Sequence, residues 1–421
     1  MDLPEGWEWW PLKHTTTFLN RGSAPDYVDD GPVRAISQAA NQLDGLNWER
    51  TRFHDFHGDA RKLKGHLQYR DVLINSTGTG TLGRVGFFES APDERPCMAD
   101  GHVTVVRLNE EVIDARFAYY WLSSQPFQDL VYAALIVGAT NQIELNRERL
   151  ASAPVPVPPL REQQRIADFL DLEIARIAKM EFLQRVVLAR VGERDQAFLD
   201  LELDRLVDKF GVILFRRVIR RIEQGASPQC DGIPAEGGEW GVLKLSSVKR
   251  GVFWPKENKR LPEETAPERR YAVKNGDLLV TRANTPDLVG DVAVVTQTPS
   301  RLLLPDLIYR IELSKRLLPD FSSMVLRGSR VRELVRATAR GTSQSMVKLR
   351  GEDIREWPIP NADLISQREV VERVAKQQAV TNLLRSQISR QLELLAERRQ
   401  ALITAAVTGR IDVATARGVV G

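Results

Sequence analysis

The chain has 421 residues, of which 43% are hydrophobic and 27% charged, a composition typical of a globular protein with two or three domains. Its longest uncharged apolar run, residues 131–140, is too short to span a membrane, and its start does not resemble a signal peptide, so we expect a cytoplasmic protein without a membrane partner. Cys97 and Cys230 lie in neither a CxxC nor a Cys/His spacing, which argues against a disulfide framework or a zinc finger and predicts two inert thiols.

The net charge of +3 is distributed unevenly along the chain. Residues 1–160 carry 15 basic and 21 acidic side chains, whereas residues 211–360 carry 26 basic and 18 acidic ones. The basic excess of the second region predicts a polyanionic partner such as nucleic acid. The first region would depend on a local basic patch, formed by Arg50, Arg52, Arg61, Lys62 and Lys64.

The sequence contains an internal duplication, in which the second copy follows the first by roughly 202 to 209 positions. Five short blocks recur in the same order, which is hard to obtain by chance and predicts two whole domains rather than a solenoid. The paired blocks are residues 22–25 with 225–228, 70–74 with 276–280, 99–103 with 305–309, 138–143 with 340–345, and 156–158 with 358–360.

Each copy begins with short strands and turn-rich loops and continues with a helix, which predicts an α/β (α+β) fold. Helices are predicted over residues 117–122 and 329–335. The strand candidates, which are rich in β-branched residues, are 72–74, 103–106, 278–280, 292–295 and 307–311.

Two long helices are predicted after the Pro-Val-Pro and Pro-Ile-Pro segments, from Leu160 to about Leu206 and from Leu364 to about Val407. These stretches contain no proline and a single glycine, Gly192. Their apolar seams predict plain core packing of one helix against the other as an antiparallel coiled coil, roughly 65 Å long at 1.5 Å per residue, which would act as a spacer. The seam positions are Ile166, Leu170, Ile174, Ile177, Leu183, Val187, Val191 and Phe198 in the first helix, and Ile388, Leu392, Leu395, Leu402 and Ala406 in the second.

Catalytic motifs are incomplete in this sequence. The glycines of residues 78–83 are followed by Arg84 and Val85 rather than by the Lys and Ser or Thr of a phosphate loop. Lys315 follows Glu312 with two intervening residues, so on a strand it would point away from the face of a nuclease site. The histidines and aspartates of residues 54–59 favour a polar surface loop over a metal site. No Asn/Asp-Pro-Pro-Tyr tetrapeptide of amino-methyltransferases occurs.

Loop side chains suited to base edges and phosphates follow the same strand in both copies. Arg can bond guanine twice, Asn or Gln can bond adenine, and Thr can contact the thymine methyl group. Structural, solvated and turn-capping roles stay open for these residues. A phosphate-facing stripe of Arg332, Arg336, Arg340, Lys348 and Arg350 is as plausible as a solvated face. The candidate DNA contacts are Arg50, Arg52, Asn75, Thr77, Thr79, Arg84, Asn141, Gln142, Lys244, Lys249, Arg250, Arg282, Asn284, Thr285, Arg340, Ser343, Gln344 and Lys348.

Residues 394–413 read LLAERRQALITAAVTGRIDV, and this string closely resembles the C-terminal conserved helix of specificity subunits from type I restriction-modification systems. Residues 3–9, 159–166 and 276–280 are similar to other blocks of that family, so the resemblance extends over essentially the whole chain. One departure is the first long helix, where residues 193–198 read ERDQAF rather than the full ERRQALI string. The other departure is the acidic first copy.

The resemblance implies two target-recognition domains, at residues 1–158 and 209–361, with conserved helical spacers at 159–208 and 362–421. Each domain would read one half of an asymmetric bipartite site on double-stranded DNA. The helices would dock two methyltransferase subunits, and restriction subunits would join that complex. S-adenosylmethionine, ATP and Mg²⁺ are expected on the partner subunits and no cofactor in this chain, which would be non-catalytic. The residues expected at the partner surface are Gln164, Arg165, Glu397, Arg398, Arg399 and Thr408.

The alternative from another class is a coiled-coil scaffold that assembles partners without reading DNA. It would predict well-matched loops in the two copies, whereas the copies diverge most around residues 75–90 and 281–291.

Overall fold

The computed structural model describes residues 3–42, 45–78, 80–138, 143–298, 301–343 and 346–413. The chain forms two compact units. The first unit comprises Met1–Gln184 together with Ser389–Gly421, and the second comprises Arg185–Ile388. Within the described residues, no helix is long and apolar enough to cross a membrane.

The first unit is built from short strands, three short helices and the start of a long one. Its helices are α1 (Ala115–Ser123), α2 (Gln125–Leu130), α3 (Arg147–Ala151) and α4 (Leu160–Phe210), the last of which continues into the second unit. Its strands are β1 (Glu8–Pro11), β2 (Thr16–Arg21), β3 (Tyr27–Val28), β4 (Val33–Ile36), β5 (Asn41–Gln42), β6 (Gly45–Leu46), β7 (Arg52–His54), β8 (Val72–Asn75), β9 (Val85–Phe87), β10 (Cys97–Ala99), β11 (Val103–Leu108), β12 (Ile136–Val137), β13 (Glu144–Leu145) and β14 (Pro154–Val157).

The second unit repeats this plan. Its helices are α5 (Pro319–Arg327), α6 (Ser329–Thr338), α7 (Gly351–Arg355) and α8 (Leu364–Val407), the last of which ends in the first unit. Its strands are β15 (Val212–Leu214), β16 (Ile219–Gln224), β17 (Gly241–Leu243), β18 (Val248–Lys249), β19 (Val252–Phe253), β20 (Asn258–Arg260), β21 (Leu278–Thr281), β22 (Ala283–Asn284), β23 (Val292–Val294), β24 (Leu302–Leu303), β25 (Ile308–Leu313), β26 (Arg340–Ser343), β27 (Met346–Lys348) and β28 (Pro358–Pro360).

The main sheets of the two units have the same topology. The strand order is β2-β11-β8-β9 in the first unit and β16-β25-β21-β23 in the second, and all neighbours are antiparallel. The Pro-Val-Pro and Pro-Ile-Pro blocks form β14 and β28, which pair with β1 and β15. The predicted α/β class, the duplication, the five strands and both short helices are therefore confirmed. The structure adds two further short helices to each copy, α2 and α3 in the first unit and α5 and α7 in the second.

Alternation along the middle strands places apolar residues on both faces of each sheet. Val72 and Ile74 of β8 pack in the core that includes α1 and the long helices, whereas Leu73 packs in a second core on the opposite face. Leu278 and Leu279 of β21 divide in the same way. Each unit thus buries its own sheet between two apolar layers.

The long helices pack in antiparallel fashion. In the first unit, Ile166 and Leu170 of α4 share a core with Ile403 near the end of α8. In the second unit, two ion pairs join α4 to α8 in reverse order, at 2.7 Å each: Asp195 Oδ2 to Arg385 Nη2 and Glu202 Oε2 to Arg373 Nη2.

Part of the predicted seam is wrong. Ile177, Val191 and Ile388 are buried as expected, but Leu183 is 50% exposed and Val187 is 42% exposed. The apolar spacing near these two positions is irregular, so they turn away from the helix that α4 packs against within each unit.

A buried glutamine ties the start of α4 to the first unit. The Gln163 Oε1 atom accepts the Asp114 N–H at 2.7 Å. Its Nε2 atom donates to the carbonyls of Pro158 and Val112, at 2.7 and 3.1 Å. One side chain therefore satisfies three backbone groups at the junction between the sheet, α1 and α4.

Gln367 does the same at the start of α8. Its Oε1 atom accepts the Leu318 N–H at 2.9 Å, and Nε2 donates to the carbonyls of Ala362 and Arg316 at 2.8 and 2.9 Å. All four positions follow their counterparts in the first unit by 204 residues. We refer to Gln163 and Gln367 as the glutamine latches. Sequence reasoning missed them, although Gln163 adjoins the predicted Gln164.

The repeated glycines at the start of the copies mark a close backbone approach. A Cβ atom on Gly22 would lie 1.8 Å from the Ala99 carbonyl oxygen, and one on Gly225 would lie 1.7 Å from that of Leu304. Only glycine fits at both places, which gives one repeated sequence block a steric reason.

Candidate nucleic-acid interface

In both units the middle strand of the main sheet ends in a loop that leads to the edge strand. The first strand-end loop covers residues 76–84 and the second covers residues 282–291. Asn75 N–H donates to the Arg84 carbonyl and Gly83 N–H to the Asn75 carbonyl, both at 2.9 Å. Thr281 and Gly290 repeat this closure: Thr281 N–H donates to Asp291 O at 2.8 Å, and Gly290 N–H to Thr281 O at 2.9 Å.

The two loops therefore share their backbone closure and differ in side chains. Gly83 and Gly290 both have positive φ, +83° and +69°, which favours glycine at the turn. The next position is Arg84 in the first unit and Asp291 in the second, so opposite charges occupy equivalent sites.

The first strand-end loop is hydrogen-bonded by the side-chain amides of two glutamines that precede it in the sequence, Gln38 and Gln42. Gln38 Oε1 accepts the Thr77 hydroxyl at 3.2 Å and the Thr81 hydroxyl at 3.4 Å. Arg84 Nη1 donates to Gln42 Oε1 and Nη2 to the Gly80 carbonyl, both at 2.9 Å. The Arg84 guanidinium is thus engaged within the loop.

The predicted DNA contact of Asn75 is wrong. Its side chain is fully buried, accepts a hydrogen bond from Asn41 Nδ2 at 3.0 Å and donates to the Gln38 carbonyl at 3.2 Å. No local pattern around Asn75 indicates that a distant segment supplies these partners. Asn75 holds the loop and does not face a base.

The second strand-end loop is fastened by an arginine of α6. Arg332 donates from Nη1 to the Val289 carbonyl at 2.8 Å and from Nη2 to the Asp287 carbonyl at 2.9 Å. Asn284 Oδ1 accepts the Thr285 N–H at 2.9 Å. Residues 285–287 are exposed, so this loop presents its apex to solvent.

A groove of about 730 Å³ lies beside the second strand-end loop in the second unit. Four cations line it together with one acid, Glu352. We call it the cationic groove. Its polar lining includes Gln224, Arg282, Tyr309, Lys348, Arg350 and Arg355.

The structure brings two predicted residues together in this groove. Arg282 donates from Nη1 to the Asp306 carbonyl at 3.4 Å, and its buried Nε atom has no hydrogen-bond partner among the described residues. Lys348 is exposed, and Arg350 beside it belongs to the proposed phosphate stripe. Arg355 was missed, because it lies on the short helix α7, which has no strong sequence signal. Arg332 and Arg336 line a different cleft, so the stripe divides into two sites.

The region of the first unit that corresponds to the cationic groove contains an ion pair instead of accessible cations. Leu145 N–H donates to the Ser76 carbonyl at 2.8 Å, as Leu349 N–H donates to that of Arg282, which aligns the two places. There Arg21 Nη1 lies 3.0 Å from Glu144 Oε2. Arg21 also donates from Nη2 to the Leu145 carbonyl, at 2.7 Å. The first unit has an internal ion pair where the second has accessible cations.

The basic patch of the first unit lies away from its strand-end loop, at β7 and the residues next to it. The Arg52 guanidinium lies 3.8 Å from the centre of the Tyr27 ring. Burial raises the Tyr27 pKa to about 12, reinforced by the Asp100 carboxylate that accepts its hydroxyl. Arg50 is exposed, so it and Arg52 stay candidate phosphate contacts. Arg61 is paired with Asp59, at 3.2 Å.

Other predicted residues are placed as follows. Lys249 and Arg250 are exposed near the β18–β19 turn, and Lys244 is half-buried. Thr79, Asn141, Gln142 and Gln344 lie outside the described residues, and for Arg340 and Ser343 only the strand β26 is described. Their DNA contacts stay predictions.

The predicted partner surface of the helices is mostly accessible. Gln164, Arg165, Glu397 and Arg398 are exposed, and Arg399 is half-buried. The prediction for Thr408 is wrong, because its side chain is 2% exposed and its hydroxyl donates to the Thr404 carbonyl at 2.6 Å. Threonine commonly bonds the preceding helical turn in this way.

Duplicated sheets, strand-end loops with different side chains and two long helices make this a protein of two repeated α/β units. The family model for the type I restriction modification DNA specificity domain matches residues 64–183. The EcoEI specificity subunit of Escherichia coli is 30% identical over 173 residues, which cover 41% of this chain and 29% of that subunit. The EcoKI specificity subunit of Escherichia coli strain K12 is 24% identical over 435 residues, covering 97% of this chain and 90% of that subunit.

Among solved structures, the chain is similar to one from a study of complex assembly and conformational transition of the type I restriction-modification system. The TM-score is 0.69 at 17% identity, with 98% of this chain and 100% of that chain covered, which supports the same fold. Over nearly its whole length the chain is thus similar to type I restriction-modification DNA specificity subunits, and residues 64–183 match the specificity domain of that family.

Proposed function

We propose that each unit reads one half of an asymmetric, bipartite site on double-stranded DNA. The observation that carries this proposal is the pair of strand-end loops, which share one backbone closure but present different side chains. Two similar frames with different side chains would read two different short sequences. The site is therefore expected to be non-palindromic.

Phosphate contacts would supply much of the affinity, and the loops would supply the sequence preference. In the second unit the cationic groove is the natural place for a phosphate, because four cations there face one carboxylate. In the first unit the Arg50 and Arg52 patch would take this role. Because α4 is a single helix that contributes to both units, its length would set the number of unread base pairs.

The helices would dock two methyltransferase subunits, and restriction subunits would join that assembly. Exposed apolar side chains on α4 and α8 support partner binding, since such residues are usually covered in a complex. In the first unit they include Met180, Phe182 and Leu183, and in the second Val380, Leu383 and Leu384. S-adenosylmethionine, ATP and Mg²⁺ would be bound by the partners, and methyl transfer to adenine would occur there.

The test is to express the chain with the methyltransferase subunit of its own operon and to map N6-methyladenine across the host DNA. We expect a bipartite, non-palindromic methylated motif that disappears when this chain is deleted. Methylation that persists unchanged without the chain would contradict the proposal and favour the scaffold alternative.

A further inference from the structure

A second cleft, of about 740 Å³, lies in the second unit where the second strand-end loop meets α6 and the long helices. Three aspartates, Asp195, Asp287 and Asp291, line it together with a larger number of arginines. We call it the arginine cleft. Its arginines are Arg250, Arg327, Arg332, Arg336 and Arg385.

Arg327, at the end of α5, is the residue around which the arginine cleft is built. Its guanidinium packs against the bare backbone of Gly251, where a Cβ atom would lie 2.7 Å from the guanidinium carbon. Nε donates to the Ser323 carbonyl at 3.3 Å, and within the described part of the chain Arg327 forms no ion pair. Burial lowers the pKa of this guanidinium, against the opposing charge of Asp291. A desolvated cation of this kind is stabilised by an anion.

The carboxylates of the cleft are already engaged with other groups. Asp195 pairs with Arg385, and Asp291 accepts the backbone N–H groups of Arg250 and Val292, at 2.8 and 3.0 Å. Two of the three acids therefore have fixed partners, which leaves the arginines in excess.

Two further arginines complete the positive lining. Arg336 is exposed and belongs to no ion pair within the described residues. Arg332 donates only to carbonyl oxygens, and burial lowers its pKa too. A planar guanidinium matches the geometry of a phosphate group, so Arg327, Arg332 and Arg336 together form a suitable phosphate site.

We propose that the arginine cleft binds a backbone phosphate of duplex DNA beside the second strand-end loop. This inference rests on the proposed function of the same unit. The loop borders both arginine-rich sites, because Arg282 at its start lines the cationic groove and Asp287 near its apex lines the arginine cleft. Phosphates held at both sites would fix the position of the loop on the duplex while residues 285–287 reach the bases.

Arg332 connects phosphate binding in the arginine cleft with the order of the second strand-end loop. The same side chain lines the cleft and holds the Asp287 and Val289 carbonyls, so a bound phosphate would also order the loop. Phosphate binding in this cleft is therefore expected to affect loop order as well as affinity.

The test uses the full chain in complex with its methyltransferase subunit and a random-sequence duplex, with affinity measured by fluorescence anisotropy over a range of salt concentrations. We expect Arg336→Gln to weaken binding about 3- to 10-fold at low salt and to reduce the slope of log K against log salt by about 0.9, the value for one lost phosphate contact. Arg316→Gln is the matched control, because this exposed arginine lines neither cleft.

Arg327→Gln should give the same loss of slope, and thermal unfolding monitors whether it folds. If that variant does not fold, Arg336→Gln decides the question on its own. An unchanged slope for Arg336→Gln overturns the inference while leaving the proposed function intact.

Two further outcomes are informative. A free nucleotide is the other source of a phosphate, so ATP binding is measured in parallel. ATP binding that is lost in Arg336→Gln while duplex binding is kept would overturn the DNA assignment. A wild-type complex that binds no duplex at all would contradict the proposed function and this inference with it.

Discussion

Arg84 and Asp291 occupy the same place in the two strand-end loops, directly after a glycine with positive φ, yet they act in opposite ways. Arg84 donates to Gln42 and to the loop itself, which locks the first loop onto the segment before β6. Asp291 accepts backbone N–H groups, and the second loop is instead fastened from the other side by Arg332. The fold thus fixes the path of the backbone and leaves the loop side chains free to differ.

The same contrast extends to the residues that lie beside the two loops. Arg21 and Glu144 neutralise one another in the first unit, where the second unit presents Arg282 and Lys348. The charge imbalance along the sequence therefore has a local structural counterpart. The two units therefore share a scaffold but carry their accessible cations on different elements.

The largest effect should come from the shared scaffold and should be equal in both units. Gly22→Ala and Gly225→Ala would each force a Cβ atom to within 1.8 and 1.7 Å of a carbonyl oxygen. We expect each to lower the free energy of unfolding by about 3 kcal/mol or more, measured by thermal unfolding.

Gly192→Ala is the control for these two variants, since nothing lies within 4 Å of its Cβ position in α4. It should stabilise the chain by about 0.5–1 kcal/mol through helix propensity. If only one of Gly22→Ala and Gly225→Ala were strongly destabilising, the two units would not be structurally equivalent at this position.

The next effect concerns the glutamine latches. Gln163→Leu and Gln367→Leu each remove three buried hydrogen bonds and leave their backbone partners unsatisfied. We expect a loss of about 2–4 kcal/mol from each, monitored by denaturant unfolding. Gln164→Leu, on the exposed side of α4, should change stability by less than about 0.5 kcal/mol. Equal free energies of unfolding for Gln163→Leu and Gln164→Leu would show that the Gln163 latch does not contribute to stability.

A third prediction separates loop support from base reading. Asn75→Ala should cost about 1–3 kcal/mol, because it unpairs buried amides, while leaving the methylated motif unchanged. Thr285→Ala, at an exposed apex, should leave stability unchanged and alter sequence preference. The readouts are thermal unfolding and methylation mapping, and a change of motif in Asn75→Ala would reverse the assignment.

The smallest effect is expected from a matched pair of charge changes beside the strand-end loops, one in each unit. Lys348→Gln should reduce the salt slope of DNA binding by about 0.9, as expected for one lost phosphate contact. Glu144→Gln should leave DNA binding equal or slightly tighter, because it releases Arg21 from its ion pair. Both are measured by salt-dependent anisotropy, and weaker binding by Glu144→Gln would contradict the contrast between the ion pair of the first unit and the cationic groove of the second.

Much of the fold was predictable because its signals are local or repeated. The β-branched runs became strands, and the proline-free stretches became α4 and α8. The offset blocks at 70–74 and 276–280 became β8 and β21, and those at 156–158 and 358–360 became β14 and β28. The blocks at 138–143 and 340–345 lie partly outside the described residues. The glycines at residues 22 and 225 recur for a steric reason, and the proline blocks recur as the equivalent strands β14 and β28.

The site was less predictable because its side chains are defined by distant partners. Asn75 has the composition of a base reader, but Asn41 and Gln38, which bury it, lie more than 30 residues earlier. Thr408 looked like a surface residue of a helix end and is buried in the first unit. Arg327 lies in no motif, and the block at residues 159–166 does not reveal the role of Gln163, because the importance of both residues depends on the backbone groups that surround them in three dimensions.

The most direct test of the central claim is to change the second strand-end loop alone and to map the methylated motif of the complex. Residues 284–288 would be replaced by a loop of equal length and different sequence, with folding checked by thermal unfolding. The account predicts that one half of the motif changes while the other half and the number of unread base pairs stay the same. A folded variant in which both halves change, or in which neither changes, would contradict the assignment of one half-site to each unit.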